Sequence, residues 1–207
     1  MSRRMPLVIS HYTKGTGYEE EIRNLRTDLF NLNIASVFHV IDHLGSWRAN
    51  SNYCAKSVQR ALNYDNGNKD VLRVDADARF RQRPTIFEQD DFDADIAAVV
   101  HDFPWRKNEL LGGTLFFRNN KIVKKLVDDW VELACESDRK NERNGDLLQE
   151  LIAGRSLLKS HPMLKFVALP PTYCQIFDLM VNCGDPVIEH FQASRRFKRQ
   201  VNRMGVL

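Results

Sequence analysis

Hydrophobic and polar positions in the first 75 residues alternate between two periods. Met5 to Ser10 (MPLVIS) reads as a strand, and His11 to Gly17 as the loop that follows it. Ile22, Leu25, Leu29 and Leu32 then recur at helical spacing and predict one buried helix face. Ile34 to Ile41 is a second apolar, β-branched run, Asp42 to Asn52 a polar loop, and Cys54, Val58, Ala61 and Leu62 mark a second helix. The turn cluster Asn63 to Asn68 precedes a third short strand, which ends at Asp75. Strand, helix, strand, helix, strand implies right-handed crossovers, a mainly parallel central sheet flanked by helices, and an α/β, Rossmann-like fold.

The second half is less regular. Ile96 to Val100 and Thr114 to Phe117 read as strands, joined through a polar connection at Trp105 to Glu109. Asn119 or Asn120 is placed to cap a helix carrying Ile122, Val123, Leu126, Val127, Trp130 and Val131. A charged loop, Ser137 to Gly145, leads to a short helix over Leu147 to Ile152. Phe166 to Leu169 is a buried strand, and Val187-Ile188 a short apolar run before His190.

Candidate chemistry gathers where the strands end, because ligands of parallel sheets sit beyond the carboxyl ends of the strands. Asp75 and Asp77 stand one position apart after Val71-Leu72-Arg73-Val74. On an extended segment that spacing directs both carboxylates to one side. Paired hard oxygen ligands suit Mg²⁺ or Mn²⁺ beside a phosphate-bearing substrate. His190 is positioned to complete such a set; as a lone histidine it would read as a hydrogen-bonded strand-end residue. Tyr12, Thr13 and Tyr18 lie on the same sheet edge, where they either stack on and bond a nucleotide base or simply line a loop. Gly112-Gly113 either admits a close backbone approach to a bound sugar or turns the chain before a strand.

Composition changes this picture little. The chain has 207 residues, 43% hydrophobic and 28% charged, which fits one soluble globular domain. No apolar run approaches the roughly 20 residues of a membrane span, and the N-terminus lacks a signal-peptide core. Cys54, Cys135, Cys174 and Cys183 are widely spaced and read as reduced thiols, so the expected location is cytoplasmic. The net charge is only +3, but Arg195, Arg196, Lys198, Arg199 and Arg203 crowd the C-terminus. Such a run suits phosphates, DNA or another polyanion, or else a solvated tail. The expected division is a catalytic unit over 1–194 and a basic tail over 195–207.

Several segments, in order, resemble a glycosyltransferase of the GT-A fold, notably the glycogenin-type families. VLRVDADA resembles their DxD strand, in which Asp75, Ala76 and Asp77 contact metal and donor. LLGGTLFF (Leu110 to Phe117) resembles their acceptor-side strand, and NGDLLQEL (Asn144 to Leu151) their acidic catalytic-region helix. VIEHFQASRRFK (Val187 to Lys198) resembles the late HFxGxxK signature, whose histidine is the third metal ligand and whose basic residue holds the diphosphate. Ala193 replaces the usual glycine, and Arg196 stands at the lysine position with Lys198 two residues later. The resemblance implies a Mn²⁺- or Mg²⁺-dependent transfer of a sugar from a nucleotide-diphosphate donor, a UDP-sugar by family habit, to an acceptor hydroxyl. That acceptor would belong to a glycan, a protein or a modified nucleic acid. It implies metal ligands Asp75, Asp77 and His190, with Arg196 or Lys198 on the diphosphate, and extends Lys56 toward the nucleotide. Asp146 either orients the acceptor or caps its helix. The rival readings are a metal-dependent nucleotidyltransferase and a non-catalytic nucleic-acid-binding protein using the basic C-terminus.

Overall fold

The computed structural model describes residues 4–65, 69–136, 142–153, 161 and 163–198. Strand β1 (Leu7–Thr13), helix α1 (Tyr18–Asn31), β2 (Ser36–Ile41), α2 (Trp47–Arg60) and β3 (Val71–Val74) form the opening α/β unit. After the short β4 (Ala78–Phe80) come β5 (Ile96–Phe103), β6 (Arg106–Phe117), α3 (Lys121–Cys135), α4 (Asn144–Ile152), β7 (Phe166–Leu169), β8 (Gln175–Ile176) and β9 (Ile188–His190). Six strands make one sheet in the order β2-β1-β3-β6-β5-β7, and β4, β9 and β8 make a second, smaller one.

The main sheet is mostly parallel. β1 pairs in parallel with β2 and β3, and β5 with β7, while β6 runs antiparallel to both its neighbours. Side chains of each strand divide between the two faces at period two. Val8, Leu72, Ala97 and Phe116 pack on the α1 side with Phe87 and Phe92. Ile9, Val71, Ile96, Leu115 and Phe117 pack against α2, α3 and α4. Each of the larger side chains, taken fully from water, contributes about 1.5–3 kcal/mol.

Local chemistry explains the helices. Ile22, Leu25 and Leu29 are the buried stripe of α1, and Glu19, Glu20 and Glu21 sit in its first turn, where the helix dipole favours acids. Asn120 caps α3 by accepting from the Val123 N–H at 2.9 Å. That helix buries Val123, Leu126, Val127, Trp130 and Leu133. No helix among the described residues is long and apolar enough to cross a membrane.

Several boundaries differ from the sequence reading. β1 continues through Tyr12 and Thr13, because pairing with β2 persists to Ile41. Helix α2 starts at Trp47, inside the expected loop, because Ser46 accepts from the Ala49 N–H at 3.1 Å. The polar stretch Arg106 to Glu109 is strand, not connection: β5 and β6 form a long hairpin with its turn at Pro104-Trp105. Only Thr114 to Phe117 of β6 pairs with β3, so the hairpin projects past the carboxyl end of β3. Arg106, Lys107, Asn108 and Glu109 are held as strand by their pairing with β5, and Leu110 is the first residue of β6 to be buried, against α4. The charged stretch over 137–141 lies outside the described residues, and α4 begins at Asn144 rather than Leu147.

Candidate active site

β3 ends against β6, with the Asp75 N–H donating to the Gly113 carbonyl at 2.9 Å. The chain then turns at once, the Ala78 N–H returning to the Asp75 carbonyl at 3.1 Å, and enters β4. Asp75 and Asp77 therefore converge through a tight turn, not through the alternation of an extended strand. β4 pairs with β9 at Ala78 and His190, which carries the imidazole to the same point. One ligand atom from each of Asp75, Asp77 and His190 falls within 4.8 Å of the others.

Each member is held by further contacts. Arg73, buried in β3, pairs with Asp75 Oδ1 at 2.6 Å and donates to the Gly112 carbonyl at 2.6 Å. Asp77 Oδ2 accepts from the Ala193 N–H at 2.6 Å. His190 Nε2 lies 2.9 Å from Thr114 Oγ1, which fixes the ring. Its other nitrogen, Nδ1, is buried without a hydrogen-bond partner and faces Asp77 Oδ1 at 3.9 Å. Burial raises Asp77, but the nearby imidazole of His190 and the hydrogen bond from the Ala193 N–H outweigh it and hold the carboxyl below its usual range. Burial likewise opposes a charged His190, yet Cys174 and Asp77 hold its pKa well above the ordinary imidazole value. Oxygen, oxygen and imidazole nitrogen are the donor set that a hard divalent cation accepts, and Nδ1 is the free ligand atom. The residues fit such an ion.

Gly113 makes room for this arrangement. A Cβ there would meet His190 Cε1 at 2.9 Å, with Nδ1 and Cys174 Sγ each at 3.0 Å. The glycine's local role is to admit the imidazole. At Gly112 a Cβ would find only ordinary contact with Gly145, nearest at 3.7 Å.

These groups lie in a cavity of about 520 Å³ that extends from β1 to the β5–β6 hairpin, a size that suits a small-molecule ligand. Tyr12, Thr13, Tyr18, Ala76, Gly112, Gly113, Asp146 and Lys198 also line it. The Tyr18 hydroxyl accepts from Trp47 Nε1 at 3.3 Å, and burial pushes its pKa upward. Lys198 Nζ sits 5.0 Å from the centre of the Trp47 ring. Asp146 does not cap α4: Arg143 occupies that position, and Asp146 Oδ1 instead accepts from Arg106 at 2.6 Å.

Two expected residues are not brought to this cavity. Lys56 lies on the exposed face of α2, opposite the buried Asn50, Cys54, Ser57 and Val58. Arg196 turns away and pairs with Glu21 of α1. Arg195 pairs with Asp178, so the described part of the basic run is largely neutralised in the fold, while Arg199 and Arg203 lie outside the described residues. Two contributors were not assigned from sequence. Arg73 hides in an apolar strand, where its only sequence signal is a charge at a buried position. Thr114 resembles any β-branched strand residue until β6 is seen beside β9.

Neither protein-family profiles nor curated protein sequences give a match to this chain. Solved structures do. A glycosyltransferase involved in glycosylation of the major capsid of PBCV-1 superposes with a TM-score of 0.71 at 14% identity, over 98% of this chain and 99% of that one. The glycosyltransferase GlyE of Streptococcus pneumoniae TIGR4 gives 0.61 at 12% identity; this chain is covered over 99% and spans 61% of GlyE. An active-site mutant of LgtC gives 0.56 at 13% identity, over 90% of this chain and 87% of that one. The chain has the GT-A fold of these glycosyltransferases.

Proposed function

We propose that this protein is a metal-dependent glycosyltransferase that moves a sugar from a nucleotide-diphosphate donor to an acceptor hydroxyl. The observation that carries this reading is the convergence of Asp75, Asp77 and His190 within 4.8 Å, in a GT-A fold. Asp75, Asp77 and His190 would hold Mn²⁺ or Mg²⁺, and the ion, when bound, supplies charge stabilisation to a departing diphosphate.

The chain's own residues supply the rest. Lys198 is the member of the C-terminal basic run that lines the cavity, and it takes the diphosphate role that the signature position, Arg196, gives up to Glu21. Tyr12, Thr13, Tyr18 and Trp47 form the end of the cavity at β1 and α2, where a nucleotide fits with a phenol and an indole beside it. Arg73 sets Asp75, Thr114 sets His190 and the Ala193 N–H sets Asp77, so the donor pocket is organised before a substrate enters. Asp146, across the cavity and held by Arg106, orients the acceptor hydroxyl.

The test is a thermal-shift panel of nucleotide sugars with and without Mn²⁺, run on the wild type and on Asp77→Asn. The expected result is stabilisation by one donor class that requires Mn²⁺ and is lost in the variant. Stabilisation by none of the donors would falsify the donor site.

A further inference from the structure

The far wall of the cavity has a construction that a donor pocket does not require. The β5–β6 hairpin extends eight residues (106–113) beyond its pairing with β3, and its turn presents Trp105 to solvent at 65% exposure while the residue still lines the cavity. The indole is not loose. It stacks on Phe103 with ring centres 5.0 Å apart and planes 6° apart, and Phe103 is itself buried at 4% and set edge-on against His101. An exposed, backed aromatic plane at a cavity mouth leaves apolar surface in water, a cost that is recovered when a ligand covers it.

Beside this plane stands a ring of paired charges. Arg106 bonds Asp146 at 2.6 Å and lies 3.8 Å from Glu109, while Glu109 accepts from Arg143 at 3.1 Å. The ring is pinned to α4: the Leu110 N–H donates to Gln149 Oε1 at 3.2 Å, and Gln149 Nε2 donates to the Asn108 carbonyl at 2.7 Å. Arg106, Glu109, Arg143 and Asp146 compensate one another in charge, and Arg48, which also lines the cavity near Arg143 and Asp146, adds one positive charge. This wall offers a flat apolar face flanked by forked donors and acceptors.

The geometry points to a carbohydrate acceptor, seated with the C–H face of a pyranose on Trp105 and its hydroxyls on the Arg106, Glu109 and Asp146 groups. A pyranose has both features: weakly positive C–H groups on one face, which favour the negative face of an indole, and vicinal hydroxyls on its rim, which donate and accept in pairs. This inference rests on the transferase reading for its direction of transfer and names the acceptor class for it.

The test is a glycan array probed with the purified protein, once alone and once with Mn²⁺ and UDP, with peptide and single-stranded DNA spots printed beside the glycans. The wild type is expected to retain at least one glycan class, Trp105→Ala to lose it tenfold or more, and Trp105→Phe to keep most of it. Arg106→Ala, which leaves the ring pair in place, is the second variant and is expected to weaken the same glycans; melting temperatures check that each variant folds. Retention of no glycan in either condition, or equal retention by Trp105→Ala, overturns the proposal, as does retention of peptide or DNA with the same dependence on Trp105. The donor panel contains no glycan and one arm of the array contains neither nucleotide nor metal. A failed donor site and a failed acceptor site therefore give separate results.

Discussion

The ring of Phe197 fills the notch that Gly17 leaves at the start of α1. A Cβ on Gly17 would lie 2.3 Å from Phe197 Cε1 and 2.4 Å from Cζ. The same ring meets Tyr18 edge-on at 5.3 Å, and Arg196 beside it pairs with Glu21. The single helical turn over 194–198 is thereby strapped across α1, with Lys198 delivered over Trp47.

Gly17→Ala is expected to dislodge this strap. The ring cannot yield by tenths of an ångström, so Phe197 leaves its notch and Lys198 leaves the cavity. Mn²⁺-dependent stabilisation by a nucleotide sugar should weaken tenfold or more, and the melting temperature should fall by the equivalent of about 1–2 kcal/mol. Phe197→Ala should reproduce both effects. Unchanged donor stabilisation in both variants would separate Lys198 from the donor.

Thr114 acts on the site through His190. Thr114→Val removes the one partner of Nε2, leaves a buried polar atom unpaired at a cost of about 1–3 kcal/mol, and frees the ring to turn. Mn²⁺ affinity, measured by calorimetry or by the EPR signal of free ion, should drop roughly 10–100-fold. Thr114→Ser should restore it, which a purely apolar packing role would not allow.

Arg73→Met tests the buried guanidinium. Its side chain is 7% exposed and that of Asp75 46%, so the pair is only half shielded and the stability loss should be modest, about 1–3 kcal/mol. Without Arg73, Asp75 and Asp77 repel across the turn with less compensation. Added Mn²⁺ should therefore raise the melting temperature of the variant more than that of the wild type; an equal or smaller rise would count against a shared cation site.

His11 gives the acid limb of stability. Burial, with the Arg73 charge second, lowers its pKa from 6.5 to about 3, although the Asn50 carbonyl 3.0 Å from Nε2 opposes this. A depressed histidine binds its proton in the unfolded chain first. Stability is therefore fully present above pH 6.5 and falls as the pH drops from there toward 3, by about 1.4 kcal/mol per unit from this residue. Denaturant unfolding at pH 7 and pH 4.5 should show His11→Gln losing less stability across that interval than the wild type.

The alternating periods of the first half were enough to predict a mainly parallel α/β sheet, because each of β1, α1, β2 and β3 buries its own apolar face. The polar hairpin was not legible. Arg106, Lys107 and Asn108 follow no strand pattern, and only their pairing with β5 makes them strand. Asp75, Asp77 and His190 could be proposed from residue type and order, but the turn that joins the carboxylates could not. Lys56 is not brought to the cavity, because it stands on the exposed face of α2, and residue type alone does not give that face. Arg196 is drawn to Glu21, a partner 175 residues away that no sequence signal links to it.

The turn after β3 has a consequence for how the chain matures. Asp77 is completed by the Ala193 amide, 116 residues later, and His190 by Thr114, 76 residues earlier. Contacts of such sequence separation form late, after the loop entropy between them has been lost. The opening β1–β3 unit can therefore be in place while its two carboxylates still lack both their amide and their imidazole. In the metal-dependent reading proposed above, ion binding would follow these late contacts, and a chain halted before residue 190 would lack the imidazole ligand.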